Sequence, residues 1–235
     1  MKKNQKYLVA IVVVAIVVVA IVVAVAWLWR ARREPFADES KVCGGVYFRE
    51  IPGFLTPDEC DDLIAASDDL RASEVGGAFE TPALDLDVRK SKQAWYGPGA
   101  HSTTDKIREK TADLVGRTGC VRHATKMEDV QVVRYGRGGK YDAHYDGDDC
   151  GPGRRECPTD QRVATVLVYL NDGFEGGRTE FPMLGASVVP EKGKALFFWV
   201  ADPDTTELFE KTLHAGVPVS RGHKWIANQW VRRSS

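Results

Sequence analysis

The pattern of hydrophobic and polar positions changes character three times along this chain. From Tyr7 to Trp29 no residue is charged, and most are Val, Ile or Ala. As a helix this run is roughly 34 Å long, enough to cross a hydrocarbon layer of about 30 Å. Tyr7 at one end and Trp27 and Trp29 at the other stand where interfacial aromatics belong. Lys2, Lys3 and Lys6 precede the run, and Arg30, Arg32 and Arg33 follow it, so flanking charge gives little orientation bias. With a short tail ahead and a whole domain behind, residues 1–29 read as a tail and a transmembrane signal-anchor. That topology leaves the following domain outside or in a lumen. Ala24-Val25-Ala26 also fits a small-x-small cleavage site, so a removed signal peptide is the alternative, although the run exceeds the usual core of ~7–15 residues. Residues 30–42, charged and polar, read as a juxtamembrane linker, and 43–235 as the one folded domain.

The second regime is mixed. Val46-Tyr47-Phe48 begins a strand-like stretch that ends at Ile51-Pro52-Gly53. Thr56-Pro57-Asp58-Glu59 is a helix start, with a capping residue, a proline in the first turn and then acids. That helix is expected to run to about Leu70. Residues 71–103 have weak periodicity and many Gly, Pro, Ser and Thr, with strand character around Arg89 to Tyr96. Long stretches of this kind often serve as lids, and Trp95 and Tyr96 could fold over a ligand. A second helix is expected from about Thr104 to Thr118, with Gly119 ending it.

The third regime is strands. Asp129 to Tyr135 alternates, with a flip between Val132 and Val133. Tyr141 to Asp146, Arg162 to Leu170, Ser187 to Val189, Lys194 to Val200, Lys211 to Val219 and Lys224 to Val231 follow, separated by Gly, Pro and Asp turns. Two helices and then seven or eight short strands predict a mainly β domain, a double-sheet jelly roll with helices packed outside.

Charge narrows the partners. With 32 basic and 33 acidic residues the formal net charge is -1, which gives no footprint for nucleic acid. The five cysteines show no zinc-type spacing. Cys150 and Cys157 bracket a polar Gly/Pro-rich segment, and in an oxidising compartment they could close it as a disulfide; two unpaired loop thiols are the plainer alternative. Cys60 falls on the first helix and reads as a small buried apolar residue.

The candidate chemistry begins at His144-Tyr145-Asp146 and continues at His214 and Lys224. Residues two apart in a strand point to one face, so His144 and Asp146 could grip one metal while Tyr145 points away. His214 would complete a two-His-one-carboxylate triad. Such a triad leaves positions open for a chelating co-substrate and for dioxygen, which suits non-haem Fe(II). Lys224 could supply the fixed positive charge for the far carboxylate of 2-oxoglutarate. Taken singly, Asp146 is one acid among Asp142, Asp148 and Asp149, His214 could be a core histidine, and Lys224 a surface lysine. The ordered set makes the case. His101, His123 and His223 have no partner pattern and read as surface or structural. Gly136-Arg137-Gly138-Gly139 lacks the strand–loop–helix context of a phosphate loop and reads as a hairpin turn.

The text around these residues resembles the catalytic domain of the prolyl 4-hydroxylases, a branch of the 2-oxoglutarate- and Fe(II)-dependent dioxygenases. The resemblance is carried by Gln131-Val-Val-Arg-Tyr135, Gly139-Lys-Tyr141, His144-Tyr-Asp146 and the run from Arg162 to Asp172. It continues through Gly176-Gly-Arg-Thr-Glu-Phe181-Pro, Gly193-Lys-Ala-Leu-Phe-Phe, His214-Ala-Gly216 and Lys224-Trp-Ile-Ala-Asn-Gln-Trp230, with a weaker match from Ile51. It implies a distorted double-stranded β-helix, with Fe(II) on His144, Asp146 and His214 and the 2-oxoglutarate 5-carboxylate on Lys224. Tyr135 and Thr179 would contact the same co-substrate, and Trp230 would wall its pocket. Tyr141 and Arg162 match positions that line a peptide groove. The implied reaction hydroxylates peptidyl proline, consumes dioxygen, and decarboxylates 2-oxoglutarate to succinate and carbon dioxide, with ascorbate as an expected accessory. The chain resembles the short, stand-alone members, and departs from the family pattern at Arg178, where Glu is common, and at Arg232, where several members have His.

Overall fold

The computed structural model describes residues 47–67, 69–74, 84–148, 150 and 156–234. All of them fall within one compact unit, Val42–Ser235. The expected anchor, residues 7–29, and the linker 30–42 lie outside the described residues. Among the described residues no helix is long and apolar enough to cross a membrane.

Fourteen strands are described. The first, β1 (Phe48–Ile51), is followed by helix α1 (Pro57–Ala65), where Thr56 and Glu59 form a reciprocal capping box. The helix stops short of Leu70, because the chain turns at Ala66 and Ser67, whose hydroxyl bonds back to Leu63 O at 2.8 Å. Next come β2 (Arg71–Ala72), β3 (Lys92–Tyr96) and helix α2 (Ser102–Arg117). His101 caps α2, its Nδ1 accepting from the Thr103 N–H at 3.2 Å. The remaining strands are β4 (Thr125–Met127), β5 (Val130–Tyr135), β6 (Tyr141–His144), β7 (Arg162–Tyr169), β8 (Glu175–Gly176), β9 (Thr179–Phe181), β10 (Ala186–Val188), β11 (Ala195–Trp199), β12 (His214–Gly216), β13 (Val219–Arg221) and β14 (Lys224–Arg233).

The strands form two main antiparallel sheets. The larger runs β1-β11-β7-β14-β5-β3-β2, with β4 also paired to β14. The smaller runs β10-β9-β12-β6, and β13 pairs with β8. This is the expected jelly roll with helices packed against it. Two cores result. One packs α1 and α2 against the larger sheet through Leu63, Ile107, Val115, Val132, Val166 and Val168. The other fills the jelly-roll interior with Val133, Tyr135, Leu167, Tyr169, Phe181 and Phe198. Residues of β5 and β7 therefore alternate between two buried faces. That is why β7 reads as a near-continuous apolar run, and why β5 needs no flip between Val132 and Val133.

Trp95 and Tyr96 are not part of a lid. They belong to β3, next to last in the larger sheet, where they pair with Gln131 and Val130 of β5, and the Tyr96 hydroxyl is fixed by Ser67 and Ala66 O. The lid expectation for residues 75–83 lies outside the described residues. The single strand expected from Lys211 to Val219 is instead a 3-10 turn at Glu210–Thr212, β12 and β13. The break comes at Val217-Pro218, where proline cannot donate to a ladder.

Candidate active site

The two histidines face each other across a strand pair of the smaller sheet, His214 of β12 in register with His144 of β6. β6 ends at His144, so Asp146 stands just beyond the strand rather than in it. Its Oδ1 nevertheless lies 3.6 Å from His144 Nε2 and 3.8 Å from His214 Nε2. The three ligand atoms lie within 4.8 Å of one another.

The donor set fits a metal. His144 Nδ1 donates to Asp142 O at 2.8 Å, and His214 Nδ1 donates to Thr212 O at 2.9 Å. A carbonyl can only accept, so each Nδ1 carries a proton, which leaves each Nε2 turned inward as the atom that can ligate a metal. Burial, and then the nearby His144, push His214 down to about 4, which keeps its Nε2 lone pair available at neutral pH. Burial alone would raise the Asp146 carboxyl, but His214, His144 and Arg162 together hold it well below the usual carboxylate range. Two neutral imidazoles and one carboxylate are the set that leaves positions open on non-haem Fe(II).

The triad opens into a cavity of about 490 Å³. Lys224, Ile226, Asn228, Trp230 and Arg232 line it from one strand, β14, at every second position. The deep end holds Lys224, 3% exposed. Its Nζ lies 5.5 Å from the Tyr135 ring centroid and 5.6 Å from that of Tyr169. Lys224 and Tyr135 are register partners across β14 and β5. Tyr169 donates its hydroxyl to Thr179 Oγ1 at 2.8 Å. Burial brings the Lys224 ammonium down to about 7, with no carboxylate to oppose it among the described residues. A buried cation flanked by two tyrosine rings, with no carboxylate partner among the described residues, is a seat for an anion.

Gly177 makes room for this lysine. It has φ +63°, and a Cβ there would lie 2.8 Å from Phe174 Cε2 and 3.2 Å from Lys224 Cδ. Gly177→Ala is therefore expected to displace the Lys224 side chain and weaken anion binding there several-fold, as calorimetric titration with a small dicarboxylate would show. An unchanged affinity would mean that Lys224 yields without losing its geometry.

The other end of the cavity is aromatic and cationic. Arg162 grips Glu128 through Nε at 2.6 Å and Nη2 at 2.7 Å, and Arg232 Nε shares the same carboxylate at 2.6 Å. Burial opposes ionisation of Glu128, but the two arginines hold it below the usual carboxylate range. The Arg162 guanidinium lies 4.0 Å from the Trp230 ring centroid, and Trp230 sits 5.8 Å from Trp95, which is 47% exposed. Tyr141 stacks on His144 with centroids 3.5 Å apart, and Arg89 lies 4.7 Å from the Tyr141 centroid.

Trp230 lines the same cavity as Lys224. Six residues along an extended strand is roughly 20 Å, so it stands at the end where Arg162 and Trp95 lie. Cys150 and Cys157 are joined by a disulfide, with Cα atoms 5.0 Å apart, and Cys120 is also disulfide-bonded. Cys60 is a free, buried thiol. Tyr169, Glu128, Thr165 and Arg89 escaped the sequence reading. Tyr169 hides in an apolar run, and the other three declare themselves only through contacts made by the fold.

These observations define a non-haem metal centre of the oxygenase class. Residues 130–232 match the model of the 2OG-Fe(II) oxygenase superfamily. The chain is 31% identical over 190 residues to a putative prolyl 4-hydroxylase of Acanthamoeba polyphaga mimivirus, covering 77% of this chain and 72% of that one. It is 37% identical over 162 residues to the mouse prolyl 4-hydroxylase subunit alpha-1, covering 68% of this chain. That match spans only 28% of the mouse subunit's length. Among solved structures it is similar to the viral collagen prolyl hydroxylase of Paramecium Bursaria Chlorella virus-1 in its 2OG complex. The TM-score is 0.71 at 44% identity, covering 82% of this chain and 99% of that one. The chain belongs to the 2OG-Fe(II) oxygenases and is a short member of the prolyl 4-hydroxylase type, a dioxygenase that depends on Fe(II) and 2-oxoglutarate.

Proposed function

We propose that this chain hydroxylates proline within an extended peptide, most simply at C4. One observation carries the reading. A single cavity joins a lone buried ammonium, a His-Asp-His triad and an aromatic–arginine mouth in that order. Lys224, with Tyr135 and Thr179, holds the 5-carboxylate of 2-oxoglutarate, and Tyr169 joins them. His144, Asp146 and His214 hold the iron. Bound there, Fe(II) would supply the redox chemistry that couples oxidative decarboxylation of 2-oxoglutarate, to succinate and carbon dioxide, with hydroxylation of a C–H bond by dioxygen.

The chain's own task is positioning and exclusion of water. Trp230, Trp95 and Tyr141 offer rings to a proline-rich segment, the surface on which PPII peptides commonly dock. Arg162, clamped by Glu128, fixes the Trp230 side of that surface. The test is mass spectrometry of a proline-rich peptide panel, incubated with the protein, Fe(II), 2-oxoglutarate and ascorbate, beside a His144→Ala control. One oxygen gained at proline with matching succinate, and a silent control, is the expected result. Succinate without peptide oxidation would move the substrate elsewhere, and no 2-oxoglutarate turnover by iron-loaded protein would overturn the proposal.

We also infer that residues 7–29 anchor the chain in a membrane, with the domain in the lumen of the secretory pathway. The uncharged run and the Cys150–Cys157 disulfide support this, since disulfides persist in oxidising compartments. Protease protection in sealed microsomes tests it; digestion of the domain from the cytoplasmic side would reverse the orientation.

A further inference from the structure

Asp146 offers two carboxylate oxygens, and the site uses them differently. Oδ1 faces His144 Nε2 and His214 Nε2. Oδ2 accepts a hydrogen bond from the Thr165 hydroxyl at 2.7 Å. Thr165 lies on β7 in the larger sheet, opposite Trp230 of β14 and Phe198 of β11, and is 1% exposed. Arg162 of the same strand donates from Nη1 to the Asp146 backbone carbonyl at 3.0 Å. One strand of the larger sheet thus holds both the main chain and the side chain of a residue that no strand of the smaller sheet contains.

A threonine in a strand usually needs no explanation beyond its β-branched shape. Here the shape alone is insufficient. The hydroxyl is buried in an apolar interior, where it requires a partner, and its partner is the carboxylate. A chelating co-substrate and dioxygen together need three positions on a six-coordinate metal. Two histidines and one carboxylate oxygen leave three, whereas a carboxylate bound through both oxygens leaves two. We propose that Thr165 is a positioning residue that occupies Asp146 Oδ2, so that Asp146 ligates through Oδ1 alone and the co-substrate positions stay open. The proposal rests on the assignment of His144, Asp146 and His214 as metal ligands.

The test uses Thr165→Val, which keeps the shape and removes the hydroxyl, and Thr165→Ser, which keeps the hydroxyl. Metal-free protein is titrated with Co(II) without dioxygen, and the Co(II) absorption spectrum is then followed as 2-oxoglutarate is added. Thr165→Val is expected to weaken Co(II) binding roughly 10–100-fold, the usual effect of losing a residue that supports a ligand. It is also expected to show an altered d–d spectrum and a blunted spectral response to 2-oxoglutarate. Thr165→Ser is expected to match the parent within about threefold by the same scale. A Val variant with parental affinity and parental spectra overturns the proposal, as does a Ser variant that loses tenfold, the latter even if the Val variant does not fold. Parent protein that binds no Co(II), or a His144→Ala control that binds it as well as the parent, would sink the ligand assignment itself, a separate failure.

Discussion

His214→Ala is expected to abolish metal binding and 2-oxoglutarate turnover while leaving a folded domain. The imidazole is fixed by the Thr212 carbonyl at 2.9 Å and packed 4.8 Å from Phe198 and 5.7 Å from Phe181. Its removal leaves His144 and Asp146 as the only pair, and a facial site with one face missing does not hold Fe(II) against water. The loss should exceed the roughly 10–100-fold that supporting residues cost. The ring is also 4% exposed in an aromatic pocket, so the metal-free variant should lose stability by about 2–5 kcal/mol, the range for large-to-small changes in a core. In a domain of this size each kcal/mol is about 2–4 °C in Tm. Binding and stability then separate: Co(II) titration reads the first and thermal unfolding of metal-free protein reads the second. A variant that melts lower yet binds metal like the parent would remove His214 from the ligand set.

The legibility of this site in the sequence follows the range of each contact. His144 and Asp146 announced themselves because two ligands so close in sequence share one metal almost by geometry alone. The expectation that both lie on a strand was not met, since β6 ends at His144. The closure by Thr165 and Arg162 comes from β7, remote in sequence, and no local pattern shows it. Tyr169 was hidden for a related reason. β7 is buried on both faces, so a tyrosine aimed at Lys224 looks like its apolar neighbours. The place of Trp230 along the cavity was legible, because one strand carries it. Lys224 and Trp230 lie on the same face of one strand, and the strand rise alone separates them by roughly 20 Å. Trp95 looked like lid material because its stretch is poor in periodicity; pairing with β5, which supplies its neighbours, is not visible from composition.

Lys224→Met should raise the Kd for 2-oxoglutarate by about 10²–10⁴-fold and, in the same protein, raise the Tm of the ligand-free state. Both effects come from one buried charge. Breaking a buried ion pair by removing one partner costs about 3–5 kcal/mol, and each 1.4 kcal/mol is tenfold in affinity. Without ligand, that ammonium has no carboxylate partner among the described residues and is 3% exposed, so an apolar side chain of similar length relieves the fold of a buried cation. The pH dependence fixes the sign. Burial lowers the lysine from 10.5 to about 7, so between those values the unfolded chain binds more protons than the folded one. The group's penalty on the ligand-free fold is therefore full below about 7 and fades as pH rises from there towards 10.5. Affinity moves the opposite way. The ligand selects the ammonium, which is already formed below about 7; above that pH binding must take up a proton, and affinity falls by up to tenfold per unit. Calorimetry in buffers of different ionisation enthalpy reads that proton directly, and the Met variant should take up none. A parent whose 2-oxoglutarate affinity is flat from pH 6 to 9, or a Met variant that binds within about threefold of it, would mean that the 5-carboxylate does not sit on Lys224.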